Sequence, residues 1–157
     1  MATKTSYGAA AQEICELFAD YLEGDGGRPA VAIGERAPSP AARNAIEKSL
    51  EAFGYGSSAC TFASLAPFDD QVEGGDITLD PQALFLLVEG LDPLYVIAID
   101  ATAAQMLGKA YRTEVALDAP ARLLGRSSAL FSNLDALLET ADGKQRAWRV
   151  LKTLQAR

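Results

Sequence analysis

The chain has 157 residues, the length of one ordinary domain, and 49% of them are apolar, enough to build a packed core. Its net charge of −7 is a poor basis for tight non-specific DNA binding, which needs cations clustered on one face. Two cysteines and no histidine exclude a Cys/His zinc site and a four-cysteine iron–sulfur cluster within one chain, so neither a metal nor a cofactor is expected.

The opening residues MATKTSYGAA hold one Lys and no apolar segment, so a secretory signal is not expected. No apolar run is long enough to span a membrane, and a cytoplasmic location is the expectation. From Ala9 to Leu22, the residues Ile14, Leu17, Phe18 and Tyr21 recur at helical spacing and predict a helix, ended by Gly24-Asp25-Gly26-Gly27. Pro29 to Ile33 is wholly apolar, as in a strand covered on both faces. Ser39-Pro40 has the form of an N-cap followed by a first-turn proline. The helix it opens carries Ala42, Ile46, Leu50 and Phe53 on one face and stops at Gly54. Ser58 to Leu65 reads as a second strand, and the acidic stretch Asp69 to Asp76 as the most mobile loop.

Asp80-Pro81 repeats the cap signal before Leu84, Leu87, Val88 and Leu91. Leu94 to Ile99 is the cleanest buried strand, with Asp100 at its carboxyl end as N-cap of a helix carrying Ala103, Met106, Leu107 and Ala110. Ala129 to Phe131 is a shorter strand. A last helix, Gly143 to Gln155, carries Ala147, Val150, Leu151 and Leu154 on one side, with Arg146, Arg149 and Lys152 on another. The alternation predicts a single three-layer α/β/α domain over residues 1–157, with a mainly parallel sheet of about four strands. Cys15 and Cys60 then fall in a helix and a strand, as buried free thiols.

Ligands of such folds collect beyond the strand carboxyl ends. The residues there are Glu35 and Arg36, Ser64, Asp100 and Asn133. Arg36, Ser64, Asp100 and Asn133 are the ligand-binding candidates, and Glu35 and Asn133 the catalytic ones. Charge is uneven along the chain. Residues 1–78 carry five Lys and Arg against twelve Asp and Glu, whereas residues 79–157 carry nine of each. Any nucleic-acid contact therefore falls to Arg146, Arg149 and Lys152, and weak or no binding is expected.

Three segments, in order, resemble the uracil-DNA glycosylase superfamily, especially its bacterial iron–sulfur branch. VAIGERAP (31–38) is similar to that family's first strand with its Gly-Glu-x-Pro ending, with the proline one residue late at Pro38. LDPLYVIAIDATAAQMLG (91–108) resembles its central strand and following helix. NLDALLETADGKQRAWRVLKTL (133–154) resembles its last motif, His-Pro-Ser-x-Leu-Leu-Arg before a helix with an Ala-Trp pair. The resemblance implies that Glu35 stands where an acidic residue positions the attacking water, and Asn133 where a His stabilises charge on the uracil.

The departures fall on the chemistry. Leu134, Glu139 and Asp100 replace the family's Pro, Arg and Gly, and the cluster cysteines are missing. Ser39-Pro40 enters a helix where an aromatic that stacks on uracil belongs. The only asparagines are Asn44 and Asn133, so none reads a base edge from the second strand. A neutral Asn donates a hydrogen bond but never becomes a cation. The implied function is a degenerate relative without glycosylase activity that serves as a binding or assembly module. The alternative is a hydrolase or small-ligand binder with a site relocated around Glu35. A protein partner or homo-oligomer is left open by both.

Overall fold

The computed structural model describes residues 11–69 and 78–155. The first helix, α1, ends at residue 17, earlier than its apolar periodicity predicts. Phe18 donates its N–H to Ile14 as the last helical bond, and Tyr21 N–H then bonds Phe18 in a tight 3₁₀ turn. Leu22 consequently leaves the helix and opens β1 (Leu22–Glu23). The remaining strands are β2 (Ala30–Gly34), β3 (Cys60–Ser64), β4 (Tyr95–Ala98), β5 (Pro120–Leu123) and β6 (Arg126–Leu130). The helices are α2 (Pro40–Ala52), α3 (Pro81–Leu91), α4 (Ala101–Tyr111), α5 (Leu134–Leu137) and α6 (Ala141–Lys152).

The strand order is β1-β3-β2-β4-β6-β5. The inner four are mutually parallel, and β1 and β5 pair antiparallel on the two edges. The sheet thus has six strands where the apolar runs predict about four. Both additional strands lack the signal that reveals the others: β1 is two residues long, and β5 is mostly exposed with Pro120 at its head.

Side chains alternate strictly between two cores, because successive residues of a strand point to opposite faces. Val31, Ile33, Val96 and Leu130 pack with α1, α3 and α4. Ala32, Ile97, Ala129 and Phe131 pack with α2, α5 and α6. The result is helices on both faces of the sheet, the α/β class that the alternation predicts. Two apolar stripes behave as their spacing requires: Leu84, Leu87, Val88 and Leu91 of α3 are buried, and so are Ala147, Val150, Leu151 and Leu154, whereas Leu17 on the predicted face of α1 is 67% exposed. Each such leucine, fully buried, contributes roughly 1.5–3 kcal/mol.

Ser39, Asp80 and Asp100 cap α2, α3 and α4 through side-chain oxygens that accept from Ala42, Ala83 and Ala103 N–H. The acidic loop expected to be mobile lies, beyond Asp69, outside the described residues. Among the described residues no helix is long and apolar enough to cross a membrane. Both cysteines are free, but only Cys60 is buried, Cys15 being half-buried where burial was expected; burial pushes the Cys60 thiol up to about 12.

Candidate functional site at the strand carboxyl ends

The chain leaves β2 to join β3 on one side, and β4 takes the other side, so the topology reverses between β2 and β4. Beyond their carboxyl ends lies the crevice where open α/β sheets usually hold a ligand. Gly34 closes β2 there because nothing larger fits: a Cβ would stand 2.6 Å from the Arg36 carbonyl oxygen and 2.7 Å from Ile99 Cδ1. Backbone pairing runs past the strands themselves. Ile99 N–H donates to Ile33 at 2.9 Å, Leu134 N–H to Ile99 at 2.9 Å, and Ala101 N–H to Ser132 at 2.9 Å.

Asp100 sits at the centre of this arrangement. Its Oδ1 accepts from Ala103 N–H at 2.8 Å, and its Oδ2 accepts from Glu35 N–H at 2.9 Å. One carboxylate therefore caps α4 and ties the loop after β2 to the loop after β4. Asp100 also forms an isolated antiparallel bridge with Asn133. The Asn133 side-chain oxygen accepts from Ala136 N–H at 3.1 Å, which makes it the N-cap of α5. Ser39, capping α2, donates its hydroxyl to Asp135. Ser132 donates both its N–H, at 3.1 Å, and its hydroxyl, at 2.7 Å, to Asp118.

Three of the five strand-end candidates thus come together: Glu35 and Asp100 through a hydrogen bond, Asp100 and Asn133 through the bridge. Ser64 does not join them. It is fully buried, and its hydroxyl donates to the Ala66 carbonyl. Arg36 and Glu35 are exposed. The Glu35 carboxylate has no hydrogen bond or ion pair among the described residues. Arg146, Arg149 and Lys152 are exposed along α6. The 3₁₀ turn that follows Lys152 packs on β6.

A cavity of about 860 Å³ lies at the other end of the sheet, against Gly24 to Gly27 and Glu89 to Asp92. Neither that cavity nor three others, which lie along α2 and α6, along α3 and α4, and at the end of α4, touches Glu35, Arg36, Asp100 or Asn133. Among the described residues no group of three Cys, Asp or Glu side chains is placed to hold a metal ion.

The amino end of the sheet carries a polar cluster that the motif reading does not single out. Arg126 opens β6 and donates to Asp92 at 2.7 Å, to the Pro93 carbonyl at 2.9 Å and to Glu89. Tyr111 donates its hydroxyl to Glu89 at 2.6 Å. Burial and then the bond to Glu89 push the Tyr111 hydroxyl up. Burial lowers the Arg126 guanidinium, but the hydrogen bonds it donates to Asp92 and Glu89 outweigh that and the net direction is upward. Arg126 is followed by Ser127 and Ser128, so no apolar run marks the start of this strand in the sequence. Arg43 is a second arginine with several partners: from α2 it donates to the Pro38 carbonyl at 3.1 Å and to Glu23 at 2.7 Å, and its guanidinium lies 4.8 Å from the Phe62 ring centre.

No family model matches this chain, and no curated protein matches it.

Proposed function

We propose that the protein is a degenerate uracil-DNA glycosylase-like domain that does not excise uracil and serves as a binding or assembly module. The observation that carries this reading is the commitment of Asp100: both of its oxygens are held by backbone N–H groups across the crevice. Excision of a base needs an open pocket with a stacking wall and a reader of the base edge. Asn133 supports the same reading, since its side-chain oxygen is engaged by Ala136 N–H and an Asn cannot supply the positive charge of a protonated His. Losing one oxyanion-type donor lowers a rate by roughly 10²–10³, and this chain departs from the family at several elements at once.

The test is a gel-based glycosylase assay on single-stranded DNA carrying uracil. No cleavage above background is expected. Efficient cleavage abolished by Glu35→Gln would overturn the proposal and favour a site rebuilt around the exposed Glu35 carboxylate. Anisotropy with labelled oligonucleotides is expected to give no complex at about 0.15 M salt, where the screening length is about 8 Å. Any residual affinity at low salt should disappear when Arg146, Arg149 and Lys152 are changed to Glu.

A further inference from the structure

A groove of about 400 Å³ separates α2 from α6, on the face of the sheet away from α3 and α4. Its size is within the range of small-ligand pockets, roughly 300–1,000 Å³. Asn44 and Lys48 line it from α2, and Lys144 and Trp148 from α6. Each pair is spaced i, i+4, so each presents one helical face to the groove. Between them the small side chains of Ala45 and Ala147 leave room for a flat group to lie close to the helices.

The charge pattern is what makes this groove unusual. The chain holds 21 acidic side chains, yet among the described residues neither Lys48 nor Lys144 has a carboxylate partner. An anion in the groove meets unpaired cations from both helices that line it. Trp148 supplies the second element. Its indole lies against Phe53, with ring centres 5.8 Å apart and planes inclined by 28°, and still keeps 39% of its surface exposed. A supported but uncovered indole is a stacking surface. Asn44 is exposed and adds a carboxamide that both donates and accepts.

We infer that this groove binds an aromatic anion of mononucleotide size, with the ring against Trp148 and the phosphate between Lys48 and Lys144. The site is separate from the strand ends and does not depend on the fate of the glycosylase chemistry, so uracil excision and ligand binding are independent readouts. Trp148 is the only tryptophan of the chain, so its emission reports occupancy directly.

The experiment titrates the full chain with adenosine 5′-monophosphate while following Trp148 fluorescence. Adenosine and inorganic phosphate serve as the ring-only and anion-only probes. A saturable quench by the nucleotide is expected, with adenosine and phosphate each binding at least about tenfold more weakly, as loss of a charge-assisted contact implies. Lys48→Ala and Lys144→Ala should each raise Kd by about tenfold without altering the thermal melt, because both side chains are exposed. Calorimetry extends the test to variants without the indole: Trp148→Phe should retain binding and Trp148→Ala should lose it. No quench by the nucleotide into the millimolar range, equal binding of adenosine, or unchanged affinity in both lysine variants would each overturn the assignment.

Discussion

At the carboxyl end of the sheet, Asp100 holds the backbone N–H groups of Glu35 and Ala103. At the amino end, Glu89 and Asp92 hold a side chain, Arg126, which in turn bonds the Pro93 carbonyl. The first arrangement is a cap extended across a crevice. The second is an ion network of the side chains of Arg126, Glu89, Asp92 and Tyr111 that also takes in one backbone carbonyl, that of Pro93. The difference matters for stability. A cap removed leaves orphan N–H groups that water can reach, whereas an ion network broken leaves a charge without its partner. It matters for function as well. Asp100 and Asn133 at the strand ends commit their side-chain oxygens to backbone N–H groups of the chain's own loops and helix ends.

The largest expected effect comes from breaking the amino-end network. The Arg126 side chain is 15% exposed and that of Glu89 31%. Arg126→Met should cost about 3 kcal/mol, the low end for a broken buried ion pair. Urea unfolding measures it. A loss under about 1 kcal/mol would place the network among ordinary surface pairs and remove the contrast between the two ends.

The next effect is at the carboxyl end. Asp100→Ala should cost about 2 kcal/mol, combining the lost cap of α4 with the unsatisfied Glu35 N–H. Amide exchange should accelerate at Glu35 and Ala103. Asp100→Asn keeps one acceptor oxygen and should protect Ala103 while leaving Glu35 fast. If both amides stay protected in Asp100→Ala, the crevice is closed by something other than this carboxylate.

The same contrast explains what the sequence reveals. Ser39, Asp80 and Asp100 are legible as caps because a cap acts on the residue three places ahead. The helix faces are legible because burial follows their period. The second bond of Asp100 is not legible, since it reaches Glu35, 65 positions away. Candidate positions at the strand ends therefore follow from the pattern, but their closure does not. Arg126 has the same difficulty, with partners 33 to 37 residues distant. The hairpin joining β5 to β6 turns through Leu124 and Gly125, both at positive φ, and Leu-Gly lacks the Asn-Gly or Asp-Gly signature of such a turn. Thr140, which caps α6, was hidden for another reason: the first turn it opens, Ala141 to Gly143, has almost no apolar residues to mark a face.

Alkaline pH should act on the amino end. The folded state holds the Tyr111 proton above the ordinary value of 10.0, chiefly through burial and then the bond to Glu89. Above that pH the unfolded chain binds fewer protons than the folded one, so stability falls as pH rises. Cys60, raised by burial from 9.0 to about 12, acts in the same direction from a lower starting point. Tyr111→Phe should cost about 1.5 kcal/mol at neutral pH through the lost bond to Glu89. It should also flatten the decline above pH 10, and Cys60→Ala should flatten the part that begins near pH 9. Melting temperatures across this range decide it. A Tyr111→Phe profile parallel to wild type would mean that the phenol already ionises in the folded state.

The smallest effect is expected at Asn133, the position that the resemblance makes most interesting. Its side chain caps a helix of only four residues. The backbone around it is anchored independently, by Leu134 N–H on Ile99 and by the Ser132 carbonyl accepting from Ala101. Asn133 is also exposed, so water replaces the lost acceptor when the side chain is removed. Asn133→Ala should therefore cost about 0.5–1 kcal/mol, the lower part of the range for an N-cap. Asn133→Asp should be neutral or slightly stabilising, since a carboxylate caps equally well and favours a helix N-terminus. Asn133→His restores the residue type that the resemblance expects but supplies no cap, so its stability should match Asn133→Ala and uracil excision should stay at background. Urea unfolding of the three variants, with the glycosylase assay on the last, makes the test. Excision regained in Asn133→His would show that the crevice still admits a base, and that Asp100 closes it less completely than its two hydrogen bonds imply.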